Sequence, residues 1–269
     1  MTRHGSQDFE PGRIPNFAVP SAARMYDYFL GGKNHFRADR EAADKVIAAY
    51  PEARRLAVAN RRFLTRAVWY LAEHGVRQFI DLGSGLPTSP NVHEVARQVR
   101  PDARVVYVDS DPVVASHGRV LCDADSGVAF VERDIRYPED ILSDGQLTGL
   151  IDFSAPVAVL AVAVLHFVLN ADHPREILAA FRSSMASGSY LVLSHATSDG
   201  ADDQVVSEVA SVYKTSTIPV VPRTAEEIKG FFARFELIEP GLVDVSQWRA
   251  DMPVRPTKIR FLAGAGRKL

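Results

Sequence analysis

The sequence has 269 residues, of which 46% are hydrophobic and 24% are charged, a composition typical of a soluble globular chain. Lysine and arginine together number 31 and aspartate and glutamate 33, and this near balance argues against a protein dedicated to nucleic acid, which normally has a strongly basic domain. The single cysteine, Cys122, excludes an internal disulfide and a thiolate-rich metal site, and we expect it to be a buried small apolar residue in a helix.

The apolar runs of the sequence are short. The opening residues lack the apolar core of a secretory signal peptide, and the longest mostly apolar run, residues 155–165, is too short to cross a bilayer. We therefore expect a cytoplasmic protein with no membrane partner.

The first 75 residues are predicted to form an arm followed by a helical extension. Residues 1–20 contain three prolines and little periodicity, so we expect them to drape over the surface. A first helix is predicted from Ser21, its cap, to the glycines Gly31 and Gly32. A second begins near residue 38, and a third runs from Pro51 to about residue 73.

The third helix is predicted to be amphipathic. Between residues 53 and 71 its apolar side chains recur at three- and four-residue spacing and form one stripe. Five arginines lie mainly off this stripe: Arg54, Arg55, Arg61, Arg62 and Arg66. Two interpretations are open, a solvated basic face or a surface for an acidic substrate or partner.

After residue 75 the pattern changes to alternating strands and helices. Five strand candidates are rich in Val, Ile and Leu, as expected for a parallel sheet covered on both faces. They lie at 78–82, 104–109, 128–132, 157–165 and 190–195, and two shorter candidates follow at 237–243 and 257–262. Helices are predicted at 91–99, 112–121, 174–186, 202–214 and 225–235. The chain is therefore predicted to be an α/β protein with a doubly wound, Rossmann-like sheet (76–269) and an N-terminal helical cover (1–75).

A glycine turn after the first strand is the most informative stretch. Asp81 and Leu82 end the strand, and Gly83, Ser84 and Gly85 follow. Glycine lets the backbone turn sharply and lets a ligand approach closely, and open α/β sheets bind ligands at such carboxyl ends of strands. Alone the signal is weak, because a plain tight turn has the same pattern.

Acids at the ends of the next two strands sharpen this prediction. Asp109, followed by Ser110, ends the second strand, where its carboxylate can accept hydrogen bonds from both hydroxyls of a ribose. Asp134 follows the third strand and can accept from an adenine amine, while Ile135 packs on the ring. A helix cap, the alternative role for such an acid, suits Asp111 better. Three sites at successive strand ends indicate an adenosine-bearing cofactor.

The loop favours S-adenosylmethionine over a nicotinamide dinucleotide. The dinucleotide pattern needs a third glycine and a helix N-terminus aimed at a pyrophosphate. Here Thr88 occupies the third-glycine position, and Pro87 and Pro90 delay the helix. Asp81 would repel a pyrophosphate, but it could help to hold a cationic amino-acid group.

With these residues the chain resembles class I S-adenosylmethionine-dependent methyltransferases, whose first motif corresponds to residues 81–85. It departs from them at Pro87, where the third glycine usually stands. More narrowly, it resembles an actinobacterial family of predicted S-adenosyl methyltransferases formerly catalogued as a domain of unknown function. The matching stretches are 24–36 with Asp39 and Arg40, 81–94, 106–112, 164–168 and 263–268. The resemblance implies a seven-stranded sheet, S-adenosylmethionine as cofactor and methyl transfer, but it supplies no acceptor.

The resemblance also suggests that residues 26–36 fold over the cofactor as a lid. Gly31 and Gly32 would permit a close backbone approach, and Asn34 would bond a carboxylate or an amine. Rings would come from Tyr26, Tyr28 and Phe36. The alternative is a helix packed on the sheet edge with a glycine cap at its end.

Candidate catalytic groups should lie at the carboxyl ends of strands four to six. Methyl transfer depends largely on alignment and needs a base only if the acceptor must lose a proton. His166 follows the fourth strand directly and is the leading candidate base, although a structural histidine in the turn is an equal alternative. His195 and Asp199 are weaker candidates, and Asp152 and Ser154 precede the fourth strand at the wrong edge of the sheet.

The sequence thus predicts an enzyme that transfers the methyl group of S-adenosylmethionine to oxygen or nitrogen of a small molecule. The scattered histidines predict no metal site, and the Asn-Pro-Pro-Tyr/Phe motif that would suggest methylation of nucleobase amino groups is absent after the fourth strand. Two other functions stay open: a non-catalytic S-adenosylmethionine-binding regulator or sensor, and an NAD(P)-dependent oxidoreductase. A homodimer is also left open.

Overall fold

The computed structural model describes residues 14–214, 216, 219–252 and 254–269. The first part of the predicted arm, residues 1–13, lies outside the described residues, and residues 14–20 contain neither helix nor strand. Within the described ranges, no helix has the length and apolar character that crossing a bilayer requires.

Three helices follow the arm, as predicted: α1 (Ala22–Phe29), α2 (Arg37–Ala49) and α3 (Ala53–Glu73). Gly31, with φ +82°, follows the end of α1 and turns the chain away from the helix axis. Pro51 lies in the turn before α3 rather than in its first turn.

Ser21 occupies the N-cap position of α1, as predicted, but its side chain does not cap the helix. Its side chain makes no bond to the first turn of the helix. Instead, Ser21 Oγ donates to Asp111 Oδ2, and the Ser21 N–H donates to Asp39 Oδ1 at 2.9 Å. The hydroxyl and the backbone N–H of Ser21 both donate to carboxylates that the fold brings close, and hydrogen bonds to an ionised acceptor are stronger than neutral ones.

Within the described residues the sheet contains eight strands, and seven of them form one continuous path in the order β3-β2-β1-β4-β5-β8-β6. Their bounds are β1 (Gln78–Leu82), β2 (Arg104–Asp109), β3 (Val128–Glu132), β4 (Ala158–Val162), β5 (Tyr190–Thr197), β6 (Glu236–Leu237), β7 (Val243–Asp244) and β8 (Arg260–Arg267). Strands β1 to β5 are parallel, β8 runs antiparallel to β5, and the two-residue β7 pairs with β8 beside β6. The doubly wound α/β architecture is confirmed.

Helices connect the strands on both faces of the sheet. They are α4 (Val92–Arg97), α5 (Pro112–Asp123), α6 (Pro138–Leu142), α7 (Gly145–Leu150), α8 (Pro174–Ser184), α9 (Asp203–Tyr213) and α10 (Ala225–Gly230). The helices α6 and α7 were not predicted, because they are too short to establish a helical period. The predicted strand at 237–243 is two strands, because Pro240 and Gly241, with φ +83°, interrupt it. Cys122 lies on α5 as predicted but is only half-buried.

Alternate residues of the strands enter two cores on opposite faces of the sheet. Phe79 faces a core that includes Phe63 and Leu71 of α3, whereas its neighbour Ile80 faces a core that includes Phe181 of α8. The helix α3 packs against β4 and β8, and α2 packs against α9. The N-terminal helices therefore share a core with the sheet and cover the carboxyl ends of its strands.

Candidate functional site

A cavity of about 770 Å³ lies between the carboxyl ends of the parallel strands and the N-terminal helices. Its volume falls in the upper part of the range of about 300–1,000 Å³ that is usual for small-molecule sites. One end, the acidic end, is formed by residues 81–85, 109–112 and 133–136. The other, the apolar end, is lined mainly by Val46, Tyr50, Leu56, Phe167, Val206, Val209, Tyr213 and Phe261.

The glycine turn after β1 has the geometry that the sequence predicts. Gly83 and Gly85 have φ values of +65° and +64°, which side chains rarely adopt. The N–H groups of Gly83 and Ser84 both donate to the carbonyl of Val108 on β2. A Cβ on Gly83 would come within 2.2 Å of Val164 Cγ2, whereas one on Gly85 would meet nothing within 4 Å. The turn is thus held against β2 and leaves open space at Gly85.

Asp109 joins this turn to the end of β2. Its Oδ2 accepts from the Gly85 N–H at 2.8 Å, and its Oδ1 accepts from the Asp111 N–H at 2.9 Å. Each carboxylate oxygen has a further lone pair, so the side chain can still accept from ligand hydroxyls. Burial raises the pKa of Asp109 to about 6. Ser110, the next residue, also lines the cavity.

Asp81 lies at the base of the acidic end and is almost fully buried. Burial raises its pKa to about 7, the nearby Arg61 acts in the opposite direction, and the negative charge of Asp109 adds to the increase. Desolvation disfavours the ionised carboxyl, and a cationic ligand group would favour it. Asp81 is therefore poised to bind a positive charge.

Asp134 and Ile135 also lie at the acidic end, as predicted. Asp134 is already paired: Arg136 donates from Nε to Oδ2 at 2.9 Å and from its N–H to Oδ1 at 2.9 Å. Ile135 is nearly buried but forms part of the cavity wall. The pair supplies an apolar surface and a fixed acceptor side by side, which suits a purine base with an exocyclic amine.

Arg61, on α3, is a candidate cofactor-binding residue that the sequence-based prediction does not single out from the other arginines of this helix. Its Nη2 donates to the carbonyls of Thr88 and, at 2.6 Å, of Pro90, while its Nε is buried without a hydrogen-bond partner among the described residues. Its neighbour Asn60 lines the cavity as well. A signal was present, because these two polar residues interrupt the apolar stripe of α3.

Most of the other arginines of α3 lie on its exposed face, and three of them also donate to backbone carbonyls. Arg54 donates to the carbonyl of Tyr28, Arg55 to those of Arg255 and Pro256, and Arg66 to those of Val245 and Trp248. Arg54, Arg55 and Arg62 are exposed, as a solvated face predicts, whereas Arg61 and Arg66 are partly buried. The solvated-face interpretation therefore holds for three of the five arginines, and tertiary packing draws the other two inward.

The predicted lid segment contributes Tyr26 to the cavity, but the structure does not bring Gly31, Gly32 or Asn34 to its wall. These three residues wrap around Asp27. The Asn34 N–H donates to Asp27 Oδ2 at 2.9 Å, and a Cβ on Gly32 would overlap the Asp27 carboxyl. Their predicted contact with a cofactor is replaced by the alternative, a glycine turn that ends a helix.

The two other rings of this segment also point elsewhere. Tyr28 donates its hydroxyl to Asp44 at 2.8 Å, and Phe36 packs on Phe17 near the surface. Arg24, by contrast, is buried and lines the cavity; it pairs with Asp39 on α2 at 2.9 Å and lies 3.6 Å from Asp111. This ion cluster ties α1 and α2 to the loop that follows β2.

His166 lies in a single 3-10 turn after β4 and lines the cavity. Burial, with the nearby His195 and Arg223, lowers its pKa well below the usual value, so the ring is neutral. The Ala196 N–H faces His166 Nδ1 at 3.4 Å, a long contact that favours a hydrogen on Nε2. In this tautomer the Nε2 of His166 carries a hydrogen and can donate a hydrogen bond, but it has no free lone pair with which to accept one.

The weaker catalytic candidates lie away from the cavity. His195 is fully buried, where its Nε2 accepts from Arg223 at 2.8 Å. Asp199 accepts from the Ala225 N–H at the start of α10. Asp152 and Ser154 bond to each other at the opposite edge of the sheet, as predicted. No group of three or more His, Cys, Asp or Glu side chains in the described part of the chain could hold a metal ion.

The acidic end fits the S-adenosylmethionine that the sequence predicts. Open space at Gly85 lies beside the carboxylate of Asp109. A ribose needs both of these features, the space for its ring and the carboxylate as an acceptor for its hydroxyls. The orphaned Nε of Arg61 is a cationic donor that an amino-acid carboxylate would satisfy. Asp81 matches a cationic ammonium or sulfonium group. The donor and acceptor set therefore suits all parts of this cofactor.

Comparison with known proteins agrees with this geometry. The profile of a protein family described as S-adenosyl methyltransferase matches residues 11–269. A methyltransferase candidate from Thermobifida fusca YX is 42% identical, with 94% of this chain and 96% of that chain covered and a TM-score of 0.88. A DUF574 family protein from Streptomyces avermitilis MA-4680 is 39% identical, with 93% and 98% covered and a TM-score of 0.89.

A more distant structure shows likeness in fold alone. The 1,6-didemethyltoxoflavin-N1-methyltransferase of Burkholderia thailandensis, solved with its acceptor and S-adenosylhomocysteine, is 17% identical, with 96% of this chain and 93% of that chain covered and a TM-score of 0.50. No curated protein has a sequence that matches this one.

Proposed function

The chain belongs to the S-adenosyl methyltransferase family, and from that premise we propose that it transfers the methyl group of S-adenosylmethionine to oxygen or nitrogen of a small molecule. Family membership decides against the NAD(P)-dependent oxidoreductase. One observation carries the proposal: three strand-end acids, Asp81, Asp109 and Asp134, border a single cavity that extends beyond them to a second, apolar end.

Each residue of the acidic end has a proposed part in holding the cofactor. Asp109 accepts from the ribose hydroxyls, while Asp134 and Ile135 hold the adenine. Asp81 faces the cationic end of the methionine moiety, and Arg61 pairs with its carboxylate. These assignments rest on the burial and hydrogen-bonding capacity of the side chains.

When bound, the cofactor supplies a methyl group on a sulfonium, which is already a good leaving group. A lone pair on the acceptor oxygen or nitrogen forms the new bond to carbon, the carbon–sulfur pair returns to sulfur, and the acceptor proton passes to water. The protein contributes alignment, which can supply much of such a rate. His166, neutral and buried in the wall, is the candidate catalytic residue, and we propose that its Nε2–H orients the acceptor atom.

Calorimetry with S-adenosylmethionine and S-adenosylhomocysteine tests the proposal directly. We expect both to bind, and we expect Arg61→Gln to weaken binding by about tenfold, because a charge-assisted hydrogen bond contributes about 1.5–3 kcal/mol. Arg62→Gln is the matched control, since Arg62 is the exposed neighbour. Failure of both ligands to bind would refute the proposal, and binding without methyl transfer to any acceptor would leave a regulator or sensor.

Three further statements stay predictions. They are a cytoplasmic location, assembly as a homodimer, and the division of the chain at residue 75 into a cover and a cofactor-binding part. The shared core of α3 and the sheet implies that the cover folds together with the sheet.

A further inference from the structure

The elements that build the apolar end bring no formal charge to the cavity. Among the described residues, α2, α9 and the segment 259–261 line it with Val46, Val206, Val209, Tyr213, Ile259 and Phe261. Arg24, from α1, is paired with Asp39, and Arg61, from α3, is assigned by the proposed function to the carboxylate of the cofactor at the acidic end. A charged molecule that entered the apolar end would lose its hydration and find no counter-charge there.

Three polar side chains beside the apolar end, those of Tyr26, Tyr50 and Asn60, are already hydrogen-bonded within the protein. Tyr26 Oη donates to the Ala57 carbonyl at 3.1 Å and accepts from Asn60 Nδ2 at 2.9 Å. Asn60 Oδ1 in turn accepts from Ser194 Oγ, and Tyr50 Oη donates to the Ile259 carbonyl. Burial raises the pKa of Tyr26, and it raises that of Tyr50 to about 12, so both are neutral.

A row of rings forms one wall of this end. The ring centroids of Phe261 and His166 are 5.2 Å apart, those of His166 and Phe167 4.4 Å, and those of Phe167 and Tyr213 5.6 Å. Aromatic rings at such spacing favour a flat ligand ring that stacks on them or meets their edges. His166, the candidate catalytic residue, lies within this row between Phe261 and Phe167.

We infer that the apolar end is the acceptor pocket and that it takes an uncharged aromatic molecule. This inference rests on the proposed function, because it assigns the acidic end to the cofactor. It excludes acceptors that carry a carboxylate, a phosphate or an ammonium group on the part that enters the pocket.

Three naphthalene probes of matched shape and different charge test the inference. With the protein saturated in S-adenosylhomocysteine, calorimetry is performed with 2-naphthol, 2-naphthoate and 2-naphthylmethylammonium. We expect 2-naphthol to bind about 100-fold more tightly than either ion, since an unpaired buried charge costs several kcal/mol. Saturable binding of S-adenosylhomocysteine with no preference for the neutral probe, or with no probe bound, overturns the inference.

A charge placed in the wall provides the sharper experiment. Val206, half-buried on α9, lines the cavity, whereas Ser207 beside it is exposed and does not. Val206→Glu should reverse the preference toward 2-naphthylmethylammonium by about tenfold or more, and Ser207→Glu should leave all three affinities unchanged. S-adenosylhomocysteine binding reports that each variant is folded. If the unsubstituted protein does not bind S-adenosylhomocysteine, the proposed function itself is refuted. Identical probe preferences in both variants would overturn the inference.

Discussion

The two ends of the cavity are built by different parts of the chain and by different kinds of interaction. The acidic end is made by short turns at the ends of β1, β2 and β3, whose carboxylates are fixed by local hydrogen bonds. The apolar end is made by helices and a strand far apart in sequence, and it is held by side-chain packing. The acidic end therefore selects a ligand by its charge and hydrogen-bonding groups, whereas the apolar end selects a ligand by its shape and its lack of charge.

The largest effect on cofactor binding is expected from removal of the acid that joins the glycine turn to β2. Asp109→Ala should weaken binding of S-adenosylmethionine by about 100-fold, because two charge-assisted hydrogen bonds to the ribose and the anchor of Gly85 are lost together. Asp123→Ala, an exposed acid at the end of α5, is the control. Calorimetry measures both. A change below threefold in Asp109→Ala would show that the ribose lies elsewhere.

An intermediate effect is expected from pH. Asp81 has a pKa raised to about 7 from 3.8, so the ligand-free folded protein holds this proton more tightly than the unfolded chain. The stabilising contribution of this group is therefore present at low pH and is lost as the pH rises through about 7. Cofactor binding has the opposite dependence, because a cationic ligand favours the ionised carboxyl.

We expect S-adenosylmethionine to bind about tenfold more tightly at pH 8 than at about pH 6, with proton release on binding. Calorimetry in two buffers of different ionisation enthalpy measures the protons. In Asp81→Asn the dependence should flatten to the part contributed by Asp109, whose pKa is raised to about 6. An unchanged pH profile in that variant would mean that Asp81 does not meet the cation.

The smallest effect is expected at the apolar end. Val209→Ala removes two methyl groups from a half-buried position in the wall, so 2-naphthol should bind about two- to threefold more weakly. Affinity for S-adenosylhomocysteine should not change, and Ser211→Ala on the exposed side of α9 should change neither. A parallel loss of cofactor affinity in Val209→Ala would show that the two ends are not independent.

The sequence predicted the acidic end well because its signals are local. Apolar strands, a glycine turn and an acid after each strand lie within a few residues of one another, and the parallel sheet then brings the turns together. The five parallel strands were placed to within a few residues for the same reason.

The apolar end could not be predicted in this way. Val209 and Tyr213 meet Tyr50 and Phe261 only through packing between α2, α9 and β8, and no spacing in the sequence records that contact. The error at Gly31 and Gly32 has a related cause, since a glycine that ends a helix and a glycine that admits a ligand have the same local pattern. Arg61 was not singled out from its neighbours on α3 because a helical arginine is usually solvated.

The antiparallel position of β8 has a consequence for biosynthesis. More than sixty residues separate the end of β5 from the start of β8, yet β8 fills the place between β5 and β6 and also pairs with β7. Strands β1 to β5 can therefore assemble on the ribosome while the free edge of β5 waits for its neighbour. Because β8 also carries Phe261, the acidic end can take shape early, and the apolar end is completed only when this strand emerges.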